Sequence, residues 1–379
     1  MKIALLSEKY TPDIGGLAIS AERLARLLVS AGHHVRVFAP TLNLPPSERR
    51  TLPSNGVSVT RFGARKRVDD TLVDWFELIT EEHKREPFDV LQAYFLAQAG
   101  FVAAYAGRYL NVPSVVSARG NDLERAIFDP SRLAQILYAL QHANAITTNA
   151  NELAKKAKAL VPGLAVTVIP NGVDSAHFRP LPRNNALAES LGLIKGRARV
   201  VGFAGELREK KGLRPLLSAY AQVNRNDPAT FLLVGDVRAG EDKQIFEEFK
   251  LSNPDTQIIV TGFVPQSDLP VYYSLMDVFV HASLRDGLPN ALLEAMACEK
   301  AVIGTPVGGI PDAVTDRENG RLVRTNDASE LAKSIAELLS DETLRKKLGS
   351  AACQTIRNQF TLQAELEGNL ALYRPGLKM

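Results

Sequence analysis

Two acids, Asp286 and Glu294, stand eight positions apart in the stretch 281–315. A Gly287-Leu288-Pro289-Asn290 turn follows the first, and a short helix-favouring run, Ala291 to Cys298, carries the second. A second glycine turn, Gly308-Gly309, comes soon after. Glycine turns leave backbone amides free to face oxyanions, and a helix amino end attracts negative charge. A carboxylate fixed on that helix accepts hydrogen bonds from hydroxyls. The set suits a ligand bearing both phosphate and hydroxyl groups, as a phosphorylated sugar donor does. Glu294 lies among Leu, Ala and Met, where a carboxylate is costly unless it has partners. It is either an acceptor for ribose hydroxyls or a structural acid tied to a backbone turn.

Other charged turns fall at expected strand ends. Residues 205–212, GELREKKG, crowd charges between a strand and a helix. There Arg208 offers a planar fork and Lys211 a point charge for a diphosphate; a solvated charged loop is the plainer alternative. Arg119-Gly120-Asn121-Asp122 ends another strand, where Arg119 and Asp122 either face a ligand or pair locally. Gly15-Gly16 follows the first strand and reads equally as a phosphate or substrate loop or as an ordinary tight turn. His33, His34, His142 and His281 share no ligand spacing and read as structural. Arg61, Arg65, Lys66 and Arg67 read as a solvated loop, with an anionic acceptor or a membrane surface as the other reading.

The elements that must position these residues alternate. Apolar runs at 2–7, 34–39, 57–62, 89–91, 114–118, 145–148 and 166–169 read as strands. Helical patterns at 17–31, 72–84, 97–110, 131–142 and 151–160 separate them. Runs apolar throughout suit parallel strands covered on both faces, and the alternation implies a doubly wound sheet. Pro180, Pro182 and the polar residues 183–185 read as a linker. The pattern then restarts, with strands at 199–204, 231–234, 257–261, 278–281 and 301–303. Helices are expected at 213–226, 242–250, 270–275, 290–298, 328–340, 341–350 and through the tail, 351–373. The expected organisation is therefore two Rossmann-like α/β domains of parallel sheet, 1–180 and 181–355, facing a central cleft. A helix within 356–379 would pack back toward the first domain.

A chain of 379 residues with net charge +3 suits two ordinary cores and offers no case for a nucleic-acid partner. Two cysteines, Cys298 and Cys353, make neither a disulfide framework nor a metal site and suit a cytoplasmic protein. The apolar start, Ile3 to Leu6, is too short for a secretory signal, and no run of about 18 apolar residues predicts a transmembrane segment.

These stretches together resemble the retaining glycosyltransferases of family four (group 1), with the two-domain GT-B architecture. The resemblance rests on the Gly15-Gly16 loop, Gly32-His33-His34-Val35, residues 119–122, and Ile169-Pro170-Asn171-Gly172-Val173-Asp174. In the second half it rests on 205–212, Val234-Gly235-Asp236, 261–265, 286–298 and 307–311. It implies transfer of a sugar from a nucleoside-diphosphate sugar to an acceptor hydroxyl. Glu294 would then hold the ribose, and Arg208 or Lys211 the diphosphate. The backbone at Gly287, Leu288, Pro289 and Asn290 would face the sugar and phosphates, with the base near Gly262, Phe263 and Val264. The first domain would present a glycan, lipid or small-molecule acceptor. Neither metal nor cofactor is expected, and the location is cytoplasmic, including the inner face of the membrane. Three positions depart from the pattern: Asp286 replaces Glu, Glu206 replaces a basic residue, and Arg119 replaces His and cannot act as a base. The alternatives are an epimerase or phosphorylase on the same fold, or a non-catalytic sugar-nucleotide-binding protein.

Overall fold

The computed structural model describes residues 1–193 and 199–373. They form two compact units, Met1–Asn171 with the tail from Leu362, and Gly172–Thr361. Residues 374–379 of the expected terminal segment lie outside the described residues.

The first unit holds β1 (Lys2–Ser7), β2 (His34–Pro46), β3 (Arg49–Ser54), β4 (Val57–Gly63), β5 (Val90–Tyr94), β6 (Ser114–Ala118), β7 (Ala145–Thr148) and β8 (Thr167–Val168). Their order is β3-β4-β2-β1-β5-β6-β7-β8, parallel except for the antiparallel β3–β4 pair. In β1, Ala4 and Leu6 join the apolar layer built around Trp75 and Ile79. Ile3 and Leu5 join the opposite layer with Leu24 and Leu28. Successive side chains of a strand point to opposite faces, so a strand covered on both sides reads as an unbroken apolar run.

The second unit repeats the plan with β9 (Arg199–Ala204), β10 (Ala229–Val234), β11 (Gln257–Val260), β12 (Val278–His281), β13 (Ala301–Gly304) and β14 (Arg321–Leu322). All are parallel, in the order β11-β10-β9-β12-β13-β14. Val200 and Ala204 enter one core layer, Val201 and Phe203 the other. The order in which strands are added switches from one side of the first strand to the other between β1 and β5 in the first sheet and between β9 and β12 in the second. Ligands bind beyond the strand ends at such points.

Three features differ from the sequence expectation. The first sheet gains β3 and an extension of β2 to Pro46, a proline-containing edge with largely exposed residues that lacks a buried apolar face to signal it. The units part at Asn171 rather than Pro180, because Val173 and Phe178 pack into the second core. The expected 341–350 and 351–373 helices are instead Glu342–Gln359 and Leu362–Ala371. Phe360, at the break, is buried in the second unit's core, whereas Leu366 is buried in the first's. The tail is tied down by Glu365, which takes two bonds from Arg23 at 2.6 and 3.1 Å, and by the Tyr373 hydroxyl, which donates to Gln92 at 3.0 Å. Among the described residues no helix is long and apolar enough to cross a membrane.

Candidate active site

The loops leaving β9, β12 and β13 are knotted together at the point where the strand order of the second sheet switches. Lys211 ends a short 3-10 turn, Glu209–Lys211, and Gly212 follows at φ 80°. A Cβ at Gly212 would lie 2.0 Å from the Ala282 carbonyl oxygen, so only glycine lets this loop seat against the end of β12. The Leu284 amide donates to the Lys210 carbonyl at 2.9 Å across the same junction. Gly308, at φ 58°, has the same property: a Cβ there would lie 1.9 Å from the Asp286 carbonyl oxygen. Gly309 then donates its amide to Gly287 at 2.7 Å. The two glycine turns seen in the sequence are thus stacked on each other.

This packing delivers the Lys211 ammonium onto the Asp286 carboxylate, with side chains 19% and 13% exposed. The same oxygen, Oδ2, accepts from His281 Nε2 at 2.9 Å and Ser283 Oγ at 3.1 Å, and Oδ1 accepts from the Gly287 amide at 3.1 Å. Thr305 Oγ1 donates to the Ser283 carbonyl at 2.6 Å and braces the turn from β13. Burial opposes the charge on Asp286, but the Lys211 ammonium and the His281 N–H outweigh it and hold the carboxyl well below its usual range. Burial, reinforced by Lys211, lowers the His281 pKa against the pull of Asp286. The imidazole is therefore neutral, with its proton on Nε2 facing the carboxylate. The Asp-for-Glu departure thus leaves the acid turned to its own chain's donors.

Glu294, buried on the helix Asn290–Ala297, accepts from Gln266 Nε2 at 2.8 Å and from the Tyr273 hydroxyl at 3.1 Å. Gln266 follows the turn formed by Gly262, Phe263 and Val264 and so links that turn to Glu294. Phe263 is 68% exposed there. Leu288 and Pro289 are buried and Asn290 half-buried at the helix start. Arg208 is paired with Glu206 at 3.3 Å, and its Nε is buried without a partner among the described residues. The acid replacing the family's basic residue is thus partnered by the arginine two positions on.

In the first unit, Gly15 adopts φ 132° at the start of the helix Gly16–Ser30, with open space where a Cβ would stand. Arg61 holds the preceding loop: it pairs with Asp13 at 3.0 Å and donates to the Thr11 carbonyl at 3.0 Å and to that of Tyr10. It belongs to this loop rather than to the solvated basic segment expected from sequence, and Arg65 is held by Asp74 at 2.6 and 3.0 Å. Asp122 is buried and turned to its own loop, accepting backbone amides of Leu96, Arg119, Gly120 and Leu123 at 2.9 to 3.3 Å. Burial still lifts its pKa to about 6 against those donors. Arg119 lies 4.5 Å over the Tyr94 ring and donates to Asn171 at 2.5 Å. Near Asp122, burial and then that acid raise Glu8 to about 7.

The sequence reading took His281 as structural only and did not single out Ser283, Gln266, Tyr273 or Glu8. Two of these carried a usable signal: His281 ends a strand at a sheet's carboxyl edge, and Glu8 immediately follows one.

Residues 190–355 match the model for "Glycosyl transferases group 1", and residues 14–177 match that for "Glycosyltransferase Family 4". The chain belongs to this glycosyltransferase family. The N-acetyl-alpha-D-glucosaminyl L-malate synthase of Bacillus anthracis is 23% identical over 92% of this chain and 91% of its own. Sucrose-phosphate synthase from Thermosynechococcus elongatus superposes with a TM-score of 0.84 at 23% identity, covering 98% of both chains. Anabaena HepE, solved in complex with UDP-glucose, gives 0.80 at 21% identity over 97% of both. At these identities the structural likeness is one of fold, GT-B.

Proposed function

We propose that this glycosyltransferase moves a sugar from a nucleoside-diphosphate sugar to an acceptor hydroxyl with retention at the anomeric carbon. The donor would bind to the second unit and the acceptor to the first. The observation that carries the reading is the cation held at the strand switch point: Lys211 fixed by Asp286 beside two stacked glycine turns. An ammonium has three N–H donors, so its bond to Asp286 leaves two for a diphosphate oxyanion. Negative charge grows on the leaving diphosphate as the glycosidic bond breaks, and a cation already in place there can lower the barrier by several kcal/mol. The sugar becomes oxocarbenium-like. The departing phosphate would take the acceptor proton on the same face, so no protein nucleophile is required. Glu294 would accept from ribose hydroxyls, with Phe263 beside the base. The UDP-glucose held by HepE supports this donor class, and the glucosaminyl product in the Bacillus relative's name fits sugar transfer. Metal independence belongs to the same reading and rests on the family resemblance, and a cytoplasmic location rests on the cysteine usage.

The test is incubation with a panel of nucleotide sugars and acceptors, scored by nucleoside diphosphate release and product anomer, with and without EDTA. Lys211→Ala should cut kcat by at least about a hundredfold, and Glu294→Ala should chiefly raise the donor KM. An inverted anomer or EDTA-sensitive turnover would overturn those parts of the reading. Donor binding with no turnover across the panel would mark a sugar-nucleotide-binding protein.

A further inference from the structure

The histidine at the end of β12 has a feature that core packing does not explain. His281 is 2% exposed, and its ring lies nearly parallel to Phe203, at 6.0 Å and 8°, and to Phe279, at 6.4 Å and 17°. A phenylalanine would fill that slot without a polar atom. The imidazole instead buries Nδ1 with no partner among the described residues, a cost that a hydrocarbon ring would avoid. What the histidine adds is one bond, Nε2–H to Asp286 at 2.9 Å. That oxygen is the one that meets Lys211, and Ser283 donates to it as well.

We propose that His281 is a positioning residue for sugar transfer: with Ser283 it fixes the Asp286 carboxylate, which in turn holds Lys211 at the diphosphate. Asp286 then serves the cation rather than the sugar hydroxyls. Lys211, His281 and Ser283 all converge on Oδ2, and the Gly287 amide meets Oδ1, so the oxygen that faces the cation is filled by donors of the chain itself. The charged groups acting on His281 are Lys211, from the loop after β9, and Asp286 from its own loop; Phe203 and Phe279 cover the ring faces and carry no charge. This inference rests on the reading of Lys211 as the diphosphate cation.

The experiment compares His281→Phe with His281→Gln, whose amide nitrogen can stand where Nε2 does. Both are assayed in the full chain for kcat, donor KM, the pH profile of kcat/KM and thermal stability. His281→Phe should lower kcat at least about tenfold, as misplacement of a reacting group does, with a smaller change in KM. Its acid limb should move to higher pH, because Asp286 loses a donor that favours its charged form. His281→Gln should recover most of the rate and the native acid limb. A His281→Phe enzyme with native kcat and pH profile would overturn the proposal, as would Gln and Phe variants equally slow and equally unstable. Should His281→Phe fail to fold, the Gln variant and Ser283→Ala decide the matter: the proposal requires near-native kcat in the first and a raised acid limb in the second. A wild-type enzyme that transfers no sugar, or whose rate ignores Lys211→Ala, would instead refute the underlying reading.

Discussion

The Lys211–Asp286 pair should show a coupling well above that of a surface ion pair. The two charges are in contact, and both side chains are more than four-fifths buried. At an effective dielectric of about 20 and a separation of roughly 3 Å, the attraction is about 5 kcal/mol. Withdrawing the two groups from water cancels part of this, leaving a net coupling of about 2–3 kcal/mol. A double-mutant cycle with Lys211→Met and Asp286→Asn, read by urea unfolding at pH 7, measures it. The single substitutions should be unequal. Lys211→Met leaves Asp286 with His281 and Ser283, whereas Asp286→Asn leaves a largely buried ammonium without its counter-charge. Acid supplies a second check. A carboxyl with a depressed folded pKa contributes stability that is present above its unfolded value, near 3.8, and is lost as pH falls through the lower folded value. The advantage of wild type over Asp286→Asn should therefore survive to below pH 3.8. A coupling under about 0.5 kcal/mol, the range of exposed pairs, would refute the claim that this cation is rigidly held.

The two glycine positions predict different costs. Gly212→Ala must displace a backbone oxygen 2.0 Å away and with it Lys211, so both stability and sugar transfer should collapse. Gly15→Ala meets nothing within 4 Å and should cost only its backbone strain, about 1–3 kcal/mol; matching urea midpoints for the two variants would refute the distinction. Glu8, raised from 4.5 to about 7 by burial and Asp122, stays protonated in the fold where the unfolded chain ionises. Its contribution to stability is complete below pH 4.5 and lost as pH rises through 7. Glu8→Gln should then gain on wild type across that window by about 1–2 kcal/mol, after discounting for partial exposure; parallel stability–pH curves would show otherwise.

Both sheets were legible because their central strands bury both faces. Val200 and Val201 enter opposite cores, and an unbroken apolar run is the trace such a strand leaves in sequence. Strand β3 left no such trace: it is polar, contains Pro53 and is largely exposed, and pairing with β4 alone defines it. The helix break at Phe360 was hidden because the residues on both sides favour helix, and only the change of core from Phe360 to Leu366 reveals it. At the candidate site, the pattern pointed to Lys211, Asp286 and the glycine turns, and the fold brings these together. It could not show which way Asp286 faces. That depends on His281, Ser283 and a lysine 75 positions earlier, which meet only because β9 and β12 are neighbours. Asp122 shows the same limit: local spacing suggested a ligand contact, whereas its loop supplies enough amides to occupy the carboxylate.

Arg208 and Lys211, two of the three cations in the 205–212 loop, are held on different terms, and the difference bears on what each can do for a diphosphate. Lys211 is clamped by an acid that three further donors keep in place, so it meets an incoming phosphate with little reorganisation, the condition under which electrostatic stabilisation is most effective. Arg208 is tethered to Glu206, whose side chain is 54% exposed. Such a pair is worth at most about 1 kcal/mol, so a dianionic ligand can take over the guanidinium at little cost. On the proposed reading, Glu206 acts as a placeholder that keeps the fork near the turn when donor is absent. The acid that breaks the family pattern then need not repel the diphosphate, because its partner offers the ligand a bidentate contact once released, while Glu206 itself is exposed enough to return to water.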